Sequence, residues 1–218
     1  VVESASAPTG YYLLLPSDWV QVPLRKGETE DVVRSVVASA FARVPADVPR
    51  DKLTPLRLEL ERRLRAAVAE ARKANALELY LPMRLAGDVN LGASFIISEA
   101  LLPARARSDG AAGKASAPAE IALQLLSEDT AANMDVSSGE VDGALAVRRE
   151  RVAPAVADRG AEMASRRVDY FVSVPGDPGR WFVAAFSTIG AGDPRDDLAD
   201  ALVEWFDALM TTFRWSWT

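Results

Sequence analysis

Arg166–Ile189, RRVDYFVSVPGDPGRWFVAAFSTI, carries the clearest statement of fold in the chain. Two apolar, β-branched and aromatic runs, Arg166–Val174 and Trp181–Ile189, flank Pro175-Gly176-Asp177-Pro178-Gly179. Runs of that length bounded by a Pro/Gly/Asp turn predict an antiparallel hairpin. Working towards the N-terminus, Gly143–Val152 and Met134–Ser137 read as two weaker strands. Before them comes a short helix at Ala119–Glu128, with Ile121, Leu123, Leu125 and Leu126. Leu77, Leu79, Leu81, Met83 and Leu85 alternate with Glu78, Tyr80, Pro82 and Arg84, the period of a half-buried strand. Pro82 donates no ladder hydrogen bond and predicts an edge or a bulge there. A turn at Gly87-Asp88 returns the chain as a partner strand, Leu91–Leu102.

The helices are set by a different period. Thr29–Val44 begins with Thr29 as N-cap and Glu30 and Asp31 in its first turn, and Pro45 stops it. Leu53–Asn75 has Leu53, Leu56, Leu60, Leu64, Val68 and Ala71 at three- and four-residue steps, with Arg and Glu elsewhere. Pro194–Thr212 follows Asp193 as N-cap and carries Leu198, Leu202, Trp205, Phe206 and Leu209 on one stripe, with Trp205 the expected core anchor. At the start, Tyr11–Leu15 and Trp19–Leu24 around Pro16-Ser17-Asp18 read as another hairpin, and Phe213–Trp217 as a last strand. Residues 1–10 are small and polar, a disordered lead-in. Residues 103–118, PARARSDGAAGKASAP, read as a flexible loop insertion within a single domain spanning 11–218. Without βαβ alternation, the order predicts an α+β fold: a central antiparallel sheet flanked by helices.

The 218 residues contain neither cysteine nor histidine. That excludes disulfides, thiolate or imidazole catalysis, and Cys- or His-ligated metals. Of the 25 basic residues 21 are Arg, an excess that fits a high-GC codon bias rather than phosphate binding by itself. The net charge of −6 and a pI near 4.9 argue against nucleic acid as a partner. No run of 18 apolar residues predicts a transmembrane segment. The first ten residues have no basic or apolar leader pattern. A cytoplasmic location is the expectation, with export by a leader removed ahead of Val1 left open.

YYLLLPSDW (11–19), VDYFVSVPGDPGRWFVAAFST (168–188) and LVEWFDALMTTFRW (202–215) together resemble the PsbP-like superfamily. That superfamily takes in the photosystem II extrinsic subunit and the Ran-binding nuclear import factor. The same ends resemble a group of high-GC bacterial proteins. The resemblance implies an αβα sandwich, no shared catalytic residues, and the binding of other proteins. The long second helix and the 103–118 insertion depart from that pattern.

Four clusters qualify as sites by composition. Asp193, Asp196, Asp197 and Asp200 suit a hard cation, but each also suits a helix start. Arg148, Arg149, Arg151, Arg166 and Arg167 suit an anion, with Glu150 and Asp169 interrupting them, and a solvated strand face is the simpler expectation. Gly190-Ala191-Gly192 sits between a strand and a helix, where phosphate loops lie, without the Gly-Lys-Ser/Thr that would complete one. Trp215 and Trp217 share a strand face with Phe213 and form the candidate partner-binding face. No catalytic residue, metal site or cofactor motif is assigned. The expected function is a non-catalytic interaction or accessory module with a protein partner. A carboxylate- or metal-dependent hydrolase and a secretion-associated chaperone or adaptor are the alternatives.

Overall fold

The computed structural model describes residues 6–25, 27–42, 44, 49–83, 92–101, 118–127, 134–156 and 162–217. In chain order the elements are β1 (Gly10–Tyr12), β2 (Trp19–Pro23), α1 (Thr29–Phe41), α2 (Arg50–Lys73), β3 (Ala76–Pro82), β4 (Ala93–Leu101), α3 (Pro118–Ser127), β5 (Met134–Val141), β6 (Ala144–Ala153), β7 (Ser165–Ser173), β8 (Arg180–Thr188), α4 (Asp197–Thr211) and β9 (Arg214–Ser216). The fold is α+β. Seven antiparallel strands form one sheet in the order β2-β3-β4-β8-β7-β6-β5, and β1 and β9 form a separate two-stranded ribbon. The Gly87-Asp88 turn and residues 103–117 of the expected insertion lie outside the described residues, and Pro118 opens α3.

The hairpin that decides the fold is present as β7–β8, in register from Arg166 opposite Thr188 to Ser173 opposite Trp181. β8 then pairs with β4 over nine residues, which joins the β2-β3-β4 and β5-β6-β7-β8 meanders into one sheet. α1 and α2 pack by Val33, Val68 and Ala71 on Val22 and Leu79. α3 packs by Ile121 and Ala122 on Val147 and Trp181 of the same face. α4 and the ribbon cover the opposite face.

That opposite face is an aromatic layer. Phe206 of α4 stacks on Phe186, with ring centroids 4.8 Å apart, and tilts against Phe95 at 5.6 Å. Phe95 stacks on Tyr80 at 4.3 Å. Phe213 lies 4.7 Å from Phe182 and edge-on to Trp215 at 4.8 Å. Tyr11 closes the group against Phe182 at 4.9 Å. Because helices cover both faces, the alternation in β3 does not separate core from solvent: Leu79 and Tyr80 are both buried.

Several expectations are corrected. The two opening strands do not pair with each other. β1 pairs with β9, Tyr11 opposite Trp215, and β2 pairs with β3. The Pro16-Ser17-Asp18 turn exists, closed by Trp19 N–H to the Pro16 carbonyl at 3.0 Å, but it moves the chain between sheets. A short strand carrying Tyr11 gains more by burying that ring beside Phe182 and Phe213 than by lying along β2. Thr29 is not an N-cap. It is the first helical residue, after Glu28, and its hydroxyl donates to the Pro23 carbonyl at 2.5 Å. Pro82 is not on an edge: β3 lies between β2 and β4, and Pro82 is its last residue, opposite Trp19. Strand β9 spans only Arg214–Ser216, and the chain is ordered onto it from Thr9, whose N–H donates to the Ser216 carbonyl at 2.8 Å.

Trp205 is only partly buried, stacked on Trp19 at 4.5 Å, whereas its neighbour Phe206 is fully enclosed. The anchor of α4 is therefore Phe206, one residue on from the position the helical stripe suggests. Phe206→Ala is expected to cost about 3–5 kcal/mol, the range for large aromatics removed from cores. Trp205→Ala should cost roughly 1–2 kcal/mol, since it retains contact with water in the folded state. Urea unfolding of the two variants beside the parent measures the order, and a larger loss at Trp205 would reverse the assignment.

Candidate functional site

Strands β6 and β7 enter the space under α4 carrying charge. Arg148 donates to Asp207 at 2.9 and 2.8 Å and to Glu150 at 2.7 Å. Tyr170 donates to the same Asp207 at 2.9 Å. Arg166 donates to Glu150 at 2.5 Å and to Asp200 of α4. Burial works against the charge of Arg148, but its bonds to Asp207 and Glu150 outweigh that and hold its pKa above the ordinary value. Burial and the Asp207 carboxylate push the Tyr170 phenol up as well. The result is a half-buried chain of ion pairs that fastens α4 to the sheet. On the other face Arg149 donates to Asp169 at 2.9 Å and lies over the Phe171 ring. The five arginines thus do not form one solvated patch. They alternate between faces, and three of them hold carboxylates.

Beside this network, at the edge formed by β5 and β6 and the start of α4, is an open cavity of about 510 Å³. Asp135, Glu150 and Asp200 reach it, with Arg151, Arg166 and Arg195. Carboxylates converging in a cavity are the arrangement a hydrolase would need. Here Glu150 and Asp200 both accept from the Arg166 guanidinium. Among the described residues there is no group of three acidic side chains placed to hold a metal ion.

The acidic cluster at α4 is a cap, though not through Asp193. The N-cap is Asp196. Its carboxylate accepts from Ala199 N–H at 2.7 Å and from Ala191 N–H at 2.7 Å. The second bond answers the phosphate-loop reading of Gly190-Ala191-Gly192: an amide that such a loop would offer a phosphate is taken by the chain's own carboxylate. Gly190 has φ +58°, and a Cβ there would strike the Asp196 carboxylate and the Asp193 carbonyl, so the turn requires glycine. Asp193 holds the preceding turn through Arg195 N–H at 2.9 Å.

The two tryptophans assigned to the partner face are placed differently from each other. Trp215 is partly buried against Phe182 and Phe213, while Trp217, beyond the end of β9, is 52% exposed. Two residues that the sequence reading passed over join the exposed set, Tyr12 at 65% and Leu14 at 75%, both on the N-terminal strand of the same ribbon or just after it. Alternation around Tyr11 and Leu13, which pack inward, is the signal that places Tyr12 and Leu14 outward. The ribbon is held firmly. Tyr11 donates to Glu78, which also accepts from Tyr80 at 2.6 Å and from Gln21 at 2.5 Å. Burial, reinforced by Tyr80 and Glu78, drives the Tyr11 phenol far above its usual pKa, so it stays a donor. Trp215 N–H donates to Asp142 at 2.8 Å.

Hydrogen bonds to Ala199 and Ala191 hold the Asp196 carboxyl below its ordinary pKa. A lowered folded-state pKa adds stability above the unfolded value, and that stability is lost as pH falls through the folded one. Asp196→Ala should therefore lower the melting temperature by a few degrees at neutral pH. The gap from the parent should narrow as pH drops below the ordinary carboxylate range. A gap that does not change with pH would show that the carboxylate is not the cap.

No protein-family model and no curated protein matches the chain. Among solved structures, it is similar to the crystal structure of LpqN, involved in cell envelope biogenesis of Mycobacterium tuberculosis. That match has a TM-score of 0.42 at 12% identity, over 95% of this chain and 86% of that one. No described helix is long and apolar enough to cross a membrane.

Proposed function

We propose that the protein is a non-catalytic accessory module of PsbP-like type, and that it binds a protein partner through the outer part of its β1–β9 ribbon. The observation that carries this reading is a rigid element with exposed aromatic and aliphatic side chains. Tyr12 faces solvent on the ribbon, and Leu14 just after β1 and Trp217 just after β9 are exposed too, while Tyr11, Phe213 and Trp215 pack against the core. Large side chains on a preorganised backbone lose little entropy on binding, which is why tryptophan and tyrosine dominate interface hot spots. Trp215 serves in this reading as the support and Trp217 as the contact. The partner expected is a protein with an apolar pocket that admits an indole ring.

A second reading, a chaperone or adaptor, has its own observation in α2. Its 24 residues extend for about 36 Å at 1.5 Å per residue, yet among its described side chains only Val68 and Ala71 are buried, and Leu56 and Leu58 are each 60% exposed. An apolar client would lie along that helix.

Photo-crosslinking residues placed at 217 and, separately, at 56 in cells of the native host distinguish the two. The proposal expects one discrete protein adduct from position 217. That protein, purified, should bind the parent chain and bind Trp217→Ala about tenfold more weakly, since hot-spot truncations cost at least 1–2 kcal/mol, with no change in melting temperature. Adducts only from position 56, or equal affinity for parent and Trp217→Ala, would overturn it.

A further inference from the structure

We infer that a second cavity, at the end of the sheet where β5 turns into β6 and β7 into β8, is a binding site for a neutral aromatic group of phenol size, with the Ser173 hydroxyl as its polar contact. None of Tyr12, Leu14 and Trp217 lines it, so the site does not depend on the ribbon's role.

The strand register builds the cavity. Ala146 stands opposite Val172, and both point into the aromatic layer under α4. Their neighbours Leu145 and Ser173 therefore project to the face that α3 covers. Ser173 stands opposite Trp181, which is fully buried beneath Ile121 and Ala122 of α3. Pro118, the first residue of α3, and Val174, Pro175 and Pro178 of the β7–β8 turn enclose a space of about 240 Å³ beside that row. Backbone hydrogen bonds fix the turn. Val174 N–H donates to the Arg180 carbonyl at 3.0 Å, Asp177 N–H to the Val174 carbonyl at 3.2 Å, and Arg180 N–H to the Asp177 carbonyl at 3.2 Å. The walls are thus in place before a ligand arrives, which lowers the ordering cost of binding.

The lining sets the ligand's chemistry. Ser173 lines the cavity, is only 7% exposed, and its hydroxyl has no hydrogen-bond partner among the described residues. An enclosed hydroxyl without a partner is costly, and a ligand that brings one recovers that cost. Leu145, Val174 and the three prolines are apolar, and rigid pyrrolidine rings offer broad faces that suit a flat ring. Asp177 is the one charged residue of the lining, and its carboxylate is held by Arg180 at 3.4 Å, which also donates to Glu99. With no basic side chain in the lining, an anion has nothing to hold it. A cavity of about 150 Å³ suffices for benzene, so this one holds a phenol-sized ring, while it is smaller than the sites of drug-sized ligands. A tyrosine side chain of a peptide and a free phenol share this chemistry.

The test uses the purified chain with p-cresol as probe and toluene as the same ring without its hydroxyl. Amide resonances of Gly143 and Gly176, both in the lining, are followed by NMR, with Gly192 beyond the other end of β8 as the distant control. p-Cresol should shift Gly143 and Gly176 in a saturable way, with about millimolar affinity, and leave Gly192 unmoved. It should bind about fivefold more tightly than toluene, the worth of one neutral hydrogen bond. Ser173→Ala should bind the two probes equally, with its affinity for toluene unchanged. N-acetyltyrosinamide separates the sources: binding at least as tight as that of p-cresol assigns the site to a peptide tyrosine, and weaker binding assigns it to a free phenol. Trp217→Ala should bind p-cresol as the parent does, so a failure of the ribbon reading leaves this result untouched. Shifts that do not saturate, toluene bound as tightly as p-cresol by the parent, or an undiminished preference for p-cresol in Ser173→Ala would overturn the inference.

Discussion

The contact of Phe206 and Phe213 with Phe95, Phe182 and Phe186 places both ends of the chain. Phe206 and Phe213 are fully buried and lie either side of the C-terminal end of α4. With those two rings on the sheet, α4 has one orientation, and the residues after Phe213 must leave along the surface as β9. Tyr11 then finds a ready slot against Phe182 and Phe213, which draws β1 onto β9 and away from β2. Rings in edge and offset contact hold relative angles as well as distances. The ribbon is for that reason a fixed attachment, and the exposed side chains on it have defined positions.

The covered sheet also explains where the charge goes. Helices on both faces leave little room for solvated side chains on β6 and β7, so arginine there must find an acid. Arg148, Arg149 and Arg166 do so, across strands or up to α4. Such partly buried pairs add less to stability than to orientation, because desolvation offsets much of their attraction. They hold α4 in register over the sheet. At the β5 edge, beside the start of α4, lies the open cavity. The β5 edge carries Asp135, Ser137, Ser138 and Glu140, a polar composition that discourages pairing with another strand.

Much of this was legible from residues alone. The β7–β8 hairpin, the strand at Ala76–Pro82, the long second helix and the C-terminal helix all follow from period and turn chemistry, and so does the α+β class. What was not legible depends on contacts distant in sequence. Tyr11–Leu15 and Trp19–Leu24 look like partners because they are neighbours, and nothing local announces Trp215 as the mate of Tyr11. The cap of α4 was misplaced by three residues because Asp193-Pro194 satisfies the usual helix-start rule, while Asp196 has two amides to answer, one of them in the preceding glycine turn. Trp205 and Phe206 are adjacent on one apolar arc, and only the position of Phe186 decides which is enclosed. In the arginine cluster the composition is legible, but not the alternation that puts Arg148 and Arg166 under α4 and Arg149 on the other face of the sheet.

Native-state hydrogen exchange tests most directly the claim that one aromatic layer joins the chain ends to the sheet. If the layer is a single cooperative unit, the bonded amides of the β1–β9 ladder should exchange with free energies within about 1 kcal/mol of those in β8, since elements of one unit open together. Removing Phe213 by substitution with alanine should lower both sets alike. Exchange of the ribbon amides through a local opening several kcal/mol below β8 would contradict the account, and would make the ribbon a loosely attached tail.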